Sequence, residues 1–181
     1  MKKFGFTLAF AAFLTLSLGT LPTATKASDD DVAISARMRG LGEVPPNNSK
    51  AVAEFRGTIS ADGTTITYTL TWSGLTTLPL FSHIHFGPTK VNGGVMVFLC
   101  GGGGKPACTQ ATSGMASGTI NASDIVGPAA QGIDPAPAGK FADVIRAIRT
   151  ANAYANLHTT KFPGGEVRGP VIARGEDDDE R

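Results

Sequence analysis

Thr65-Ile66-Thr67-Tyr68-Thr69-Leu70-Thr71-Trp72 is the stretch that decides the fold class. Threonines alternate with large apolar or aromatic side chains, and successive side chains of a strand point to opposite faces of a sheet. Threonine and aromatic residues also favour extended backbone. The stretch therefore predicts a β-strand with one face on a hydrophobic core and the other in water.

Further short strands lie on both sides of this stretch. Asp62-Gly63, just before it, is a strong hairpin turn signal. The other predicted strands are residues 32–39, 51–60, 81–86, 95–99, 117–120, 154–159 and 166–173. In residues 51–60 the predicted apolar members are Val52, Phe55 and Ile59.

One helix is predicted among these strands. Within residues 141–150, Phe141, Val144, Ile145 and Ile148 fall on one stripe of a helix. Many short strands with one helix indicate a mainly β protein, an antiparallel Greek-key-like β-sandwich or barrel with one short helix.

The N-terminus has the pattern of a secretory signal peptide. Met1-Lys2-Lys3 is basic, residues 4–18 are apolar, and Thr25-Lys26-Ala27 is a suitable cleavage site. The alternative, a retained membrane anchor, fits less well because the apolar run is short for a span. We expect a signal peptide at 1–27, one β domain at 28–175, an acidic tail at 176–181, and a secreted or periplasmic protein without a membrane span after cleavage.

Composition limits the classes of partner and cofactor. The formal net charge of +1 gives no indication of nucleic-acid binding. Export permits disulfides, and Cys100 and Cys108 flank a glycine run. We expect a disulfide between them. Metal ligation by the two cysteines is the alternative, but an isolated pair at this spacing is a poor zinc site.

Histidines supply the candidate site. Two of the three in the chain lie in Phe81-Ser82-His83-Ile84-His85-Phe86, where they share a strand face. The third is in Tyr154-Ala155-Asn156-Leu157-His158-Thr159, on the face of Tyr154 and Asn156. If the two strands are neighbours, three imidazoles converge and form a copper or zinc site with an open coordination position. The alternative is that each histidine bonds a strand neighbour and has a structural role.

For the other polar residues we predict structural roles. The chain lacks a Gly-x-Ser-x-Gly elbow, and we predict no catalytic residue. Glu166 and Arg168 share a strand face, which predicts a structural salt bridge across the sheet. For Asn156 we favour pairing with a turn over orienting a histidine, and we expect Trp72 and Tyr68 in the core.

Five blocks together resemble the CHRD domain, a family named after chordin. They are Arg39-Gly40-Leu41-Gly42-Glu43-Val44-Pro45-Pro46, His83-Ile84-His85-Phe86-Gly87, Asn92-Gly93-Gly94-Val95-Met96-Val97, Ala153-Tyr154-Ala155-Asn156-Leu157-His158-Thr159 and Phe162-Pro163-Gly164-Gly165-Glu166-Val167-Arg168-Gly169. The resemblance implies a β-rich, immunoglobulin-like fold, an extracellular or bacterial secreted setting and no enzymatic activity. Chordin antagonises bone morphogenetic proteins, but growth-factor binding does not transfer with a fold. The segment from Cys100 to Cys108 departs from the family pattern.

A second, local similarity concerns Phe81-Ser82-His83-Ile84-His85-Phe86-Gly87. It is similar to the strand that supplies two copper ligands in copper/zinc superoxide dismutase, whose last copper histidine also lies far downstream. This chain lacks the histidine-rich zinc loop of that enzyme and has three histidines where the enzyme uses six. The similarity therefore implies copper ligation through three imidazoles at most, and not dismutase activity.

Two functions from different classes follow. The leading hypothesis is a secreted, non-enzymatic binding module for an extracellular or envelope protein. The alternative is a copper or zinc protein that uses His83, His85 and His158, with redox chemistry available to copper. The two differ in whether the histidine face is open to solvent or sealed by Trp72 and its neighbours.

Overall fold

A computed structural model of the chain describes residues 30–174. The predicted signal peptide, residues 1–27, and the predicted acidic tail, residues 176–181, lie outside the described residues.

The described chain contains nine strands and one α-helix, numbered here in chain order. The strands are β1 Val32–Arg39, β2 Val52–Ile59, β3 Ile66–Ser73, β4 Pro79–Phe86, β5 Gly94–Cys100, β6 Gly114–Ile120, β7 Ala153–Thr159, β8 Val167–Pro170 and β9 Ile172–Ala173. The helix α1 is Phe141–Arg149, and 3₁₀ turns lie at Gly40–Gly42, Ala122–Asp124 and Ala129–Gln131.

All nine strands belong to one antiparallel sheet. The order is β5-β4-β7-β8-β1-β2-β3-β6, with β9 also paired to β1. The two end strands, β5 and β6, approach each other, so the sheet is a nearly closed barrel. Inside it, the hydroxyl of Tyr68 donates to the carbonyl of Leu99 at 2.5 Å and so joins β3 to β5. The predicted mainly β, antiparallel fold is confirmed, in the form of a barrel.

The inner face of β3 is the one that the alternation predicts. Ile66, Tyr68, Leu70 and Trp72 are all buried in the core. In register beside them, Phe55 of β2 lies opposite Leu70 and is also buried. Val52 was expected in this core, and that prediction is wrong. It lies opposite Ser73 on the outer face of β2 and is 39% exposed, because it sits an odd number of residues from Phe55.

The helix α1 contributes to the same core. Its predicted stripe, Phe141, Val144, Ile145 and Ile148, is buried. Three residues after the helix, the Asn152 N–H donates to the carbonyl of Ala147 at 2.8 Å, which ends the helix. Within residues 30–174, no helix is long and apolar enough to cross a membrane.

The segment between Cys100 and Cys108, the cysteine loop, forms the first part of the connection between the two end strands of the barrel. The Sγ atoms of the two cysteines are at disulfide distance, 1.97 Å apart. Within the loop, the Lys105 ammonium donates to the Thr119 carbonyl of β6 at 2.6 Å and pairs with Asp124 at 2.8 Å. The cysteine loop therefore leaves β5 and binds back onto β6.

Removal of both cysteines tests the contribution of this loop. We expect Cys100→Ser/Cys108→Ser to lower the free energy of unfolding by about 2–3 kcal/mol, because the unfolded chain loses a short covalent loop. Urea denaturation of the variant and of wild-type protein measures the loss. Wild-type protein reduced with dithiothreitol is the control and should show the same loss. An unchanged midpoint in both would contradict the prediction.

Candidate metal centre

The register between β4 and β7 assembles the site. Phe81 lies opposite His158, His83 opposite Asn156, and His85 opposite Tyr154. The alternate residues of the two strands, among them Ile84 and Leu157, face the barrel core. The three histidines therefore share the outer face of the sheet, and their predicted convergence is confirmed.

The three imidazoles are close enough to act on one ion. The ring centroid of His83 is 4.5 Å from that of His85 and 4.7 Å from that of His158. One nitrogen of each ring lies within 4.8 Å of the other two. Nitrogens bound to one ion at about 2.0–2.1 Å are about 3.3–3.6 Å apart in a tetrahedral or trigonal site. A separation of 4.8 Å would have to shorten by about 1.2–1.5 Å for all three nitrogens to bind one ion.

The site is sealed from solvent, although it lies on the outer face of the sheet. His83, His85 and His158 are only 4%, 9% and 7% exposed. The Phe81 ring lies 5.4 Å from that of His83 and 4.6 Å from that of His158, and the Phe98 ring meets His83 edge-on at 5.1 Å. Phe81 and Phe98 therefore cover the histidines, while Trp72 lies in the core.

Two of the rings are oriented by main-chain carbonyls. Nδ1 of His85 is 2.8 Å from the Gly93 oxygen, and Nδ1 of His158 is 2.9 Å from the Pro163 oxygen. A carbonyl only accepts, so Nδ1 carries the proton and Nε2 of each neutral ring keeps its lone pair. Metal-binding histidines are usually held in this way.

Two imidazole nitrogens at the site have no hydrogen-bond partner. They are Nε2 of His158 and Nδ1 of His83, and both are buried. A buried polar atom without a partner costs about 1–3 kcal/mol. A bound ion would satisfy both nitrogens at once.

Asn156 contacts the histidines, and the prediction that it pairs with a turn is wrong. Its Oδ1 lies 3.2 Å from Nε2 of His85, and the residue is buried. Asn156 therefore lies against the ring nitrogen of His85 that keeps its lone pair. The partner of Asn156 lies across the β4–β7 ladder, and the order of residues in the chain does not show which strands are neighbours.

Burial keeps the three rings neutral, which is the form that binds metal ions. Burial, together with the neighbouring His85 and His158, lowers the pKa of His83 to about 2. Burial lowers the pKa of His158 to about 4, although its bond to Pro163 acts in the opposite direction. The pKa of His85 is also lowered, again mainly by burial.

An aromatic ring and an ion pair continue the site toward β8. The Tyr154 ring stacks on His85 with 4.5 Å between centroids and 9° between planes. The Arg168 guanidinium lies 4.4 Å from the Tyr154 centroid. Nε of Arg168 is 2.9 Å from an Oε2 atom of Glu43, and both residues are buried. The sequence analysis did not predict these contacts of Glu43 and Tyr154, although both residues lie in blocks that resemble the CHRD domain.

Arg168 also binds the loop at residues 88–93. One Nη donates to the Thr89 carbonyl at 3.2 Å and the other to Oδ1 of Asn92 at 2.8 Å. Burial raises the pKa of Glu43 even though Arg168 acts against it. The backbone of Gly165, at φ +128°, approaches Glu43 so closely that a Cβ there would collide with the carboxylate.

The predicted salt bridge between Glu166 and Arg168 is not formed, because Arg168 pairs with Glu43. Glu166 is held by hydrogen bonds instead. Its carboxylate accepts from the hydroxyls of Ser49, Thr76 and Thr159, each at 2.6 Å, and from the Thr76 N–H at 2.9 Å. Burial acts to raise its pKa, but these hydrogen bonds outweigh burial and hold the pKa below the ordinary value. Glu166 connects two loops to the end of β7.

Comparison with known protein families identifies a match. The sequence model of the CHRD domain family matches residues 34–171. No curated protein and no solved structure matches the chain. The local similarity to copper/zinc superoxide dismutase and the bacterial setting stay predictions.

The buried histidines predict a pH dependence of stability. Their folded-state pKa values lie below the ordinary 6.5, so the unfolded chain binds more protons below that pH. The free energy of unfolding of metal-free protein should therefore fall from pH 6.5 toward about pH 5, by up to about 1.4 kcal/mol per pH unit for each histidine. Urea denaturation across this range measures the slope. His83→Gln should reduce the slope by one such contribution, and equal slopes would contradict the prediction.

The Glu43–Arg168 pair predicts a large loss from one substitution. Glu43→Gln leaves a buried guanidinium without its counter-charge, and we expect the free energy of unfolding to fall by about 3–5 kcal/mol. Glu54→Gln is the matched control, because it removes the partner of the exposed Arg56 and should cost less than about 1 kcal/mol. Similar losses in both variants, measured by urea denaturation, would count against the buried pair.

Proposed function

This chain belongs to the CHRD domain family, and from that premise we propose that it is an extracytoplasmic binding module whose ligand is one copper or zinc ion. His83, His85 and His158 hold the ion. The family supports a binding module, and the geometry of the histidines favours a metal ion as what it binds.

The state of the ring nitrogens carries this proposal. Histidines with a purely structural role have their buried nitrogens hydrogen-bonded. Here Nε2 of His158 and Nδ1 of His83 are buried without a hydrogen-bond partner, while the proton of His158 is committed to the Pro163 carbonyl. Leaving these two nitrogens without a partner costs free energy, whereas histidines that bind a metal ion need such free nitrogens.

The residues around the histidines support binding more than catalysis. Among residues 30–174, the cluster of possible metal-binding side chains consists of these three imidazoles. With all three used as ligands, the cluster keeps no histidine or carboxylate for acid–base chemistry. Phe81 and Phe98 cover the ring faces through which a substrate would have to arrive. A bound copper would add the ability to exchange one electron.

The location outside the cytoplasm is part of the proposal. It rests on the signal-peptide pattern at residues 1–27 and on the family match. A cysteine pair at disulfide distance is consistent with it, since disulfides persist mainly in oxidising compartments.

Metal content is the direct test. Residues 28–181, prepared without a polyhistidine tag, are incubated with copper and zinc salts, dialysed extensively and submitted to elemental analysis. We expect about one equivalent of metal in wild-type protein and none in His83→Gln/His158→Gln, because the variant loses two of three ligands. Circular dichroism confirms that the variant is folded, and Glu54→Gln should retain the metal like wild type.

A second readout follows from linkage. Since an ion that binds only the folded state stabilises it, wild-type protein should melt at a higher temperature with metal than without. The absence of retained metal in both proteins would overturn the proposal. The histidines would then be structural, and binding of an extracellular or envelope protein would be the function to test.

A further inference from the structure

We infer that the three-histidine site is built for monovalent copper, Cu(I), in preference to zinc or divalent copper. This inference rests on the proposed function, because it specifies the ion that His83, His85 and His158 hold. Its basis is the charge, the number of ligands and the walls of the site.

The site provides no negative charge to balance an ion. Its three ligands are neutral imidazoles, and no carboxylate belongs to the cluster among residues 30–174. The Glu43 carboxylate is already paired with Arg168. The desolvation free energy of an ion in a low-dielectric interior rises with the square of its charge. It is therefore about four times larger for a divalent ion than for a monovalent one.

The number of ligands also favours Cu(I). Zinc in proteins is almost always four-coordinate, and divalent copper prefers square-planar or tetragonal sets of nitrogen and oxygen. With its filled d shell, Cu(I) forms stable three-coordinate complexes, and imidazole is a suitable ligand for copper. Oδ1 of Asn156, 3.2 Å from Nε2 of His85, is a further oxygen beside the cluster. As a neutral amide oxygen it adds no charge, and as a hard donor it suits Cu(I) poorly.

The walls of the site disfavour a water molecule as the fourth ligand. The Phe81 ring lies against both His83 and His158, and the neighbouring Phe98 ring meets His83 edge-on. These rings offer no hydrogen-bond acceptor to a coordinated water, which leaves Oδ1 of Asn156 as the acceptor beside the cluster that the structure shows. A water bound to a divalent ion donates strongly and needs such acceptors. A three-coordinate ion has no such requirement.

Competition with chelators of known affinity tests the inference. Under anaerobic conditions, Cu(I) is supplied as its coloured bathocuproine disulfonate complex, and the decrease in colour reports transfer to the protein. We expect wild-type protein to remove about one equivalent of Cu(I). Zn(II), measured in parallel against a zinc-specific dye, should bind at least about 100-fold more weakly. His83→Gln/His158→Gln should take up neither ion.

One substitution should reverse this preference. Phe81→Asp places a carboxylate in front of His83 and His158, which supplies both a fourth ligand and a negative charge, so the ratio of Zn(II) to Cu(I) affinity should rise at least about tenfold. Phe81→Leu is the matched control, because it removes the ring without adding a donor and should keep Cu(I) preferred.

The outcomes separate this inference from the proposed function. Equal or tighter binding of Zn(II) by wild-type protein would overturn the Cu(I) preference and leave the metal site in place. An unchanged affinity ratio in Phe81→Asp would also overturn it, since charge and ligand number are its basis. Failure of wild-type protein to take up any of the ions would overturn both.

Discussion

The antiparallel pairing of β4 with β7 is the constraint on which the rest of the site depends. It places His83 opposite Asn156 and His85 opposite Tyr154, and it sets Ile84 and Leu157 into the core. A slip of one residue would exchange the two faces. Imidazoles would then enter the barrel and aliphatic side chains would leave it. The apolar packing of the core therefore fixes the relative positions of the polar groups on the other side.

This part of the sheet is unusual because both of its faces are buried. The seven residues of β7 are all buried, and the outer face carries histidine, asparagine and tyrosine side chains. Most of the buried polar groups nearby have partners: Glu166 accepts four hydrogen bonds, and Arg168 has Glu43, Thr89 and Asn92. Together with Oε1 of Glu43, the unpartnered nitrogens of His83 and His158 are exceptions that require an explanation.

Local patterns in the sequence predicted the elements, and distant contacts decided the errors. The alternation in β3, the apolar stripe of α1 and the shared face of the histidines depend on side-chain direction within one element, which periodicity reports. Periodicity does not report the partner of Arg168, because Glu43 lies 125 positions earlier, in a loop after β1. The contact of Asn156 with His85 likewise depends on which strands are neighbours. Closure of the barrel settles both, and no local pattern contains that information.

The orientation of the rings by main-chain carbonyls has a consequence for how such a site tolerates evolutionary drift. Every amino acid carries a carbonyl, so the hydrogen bond from His158 to residue 163 does not require proline there. The bond from His85 ends on Gly93, where the backbone approaches Phe86 too closely for a Cβ. Position 163 is therefore free to change while its carbonyl still orients His158. The other loop must retain its glycine to orient His85.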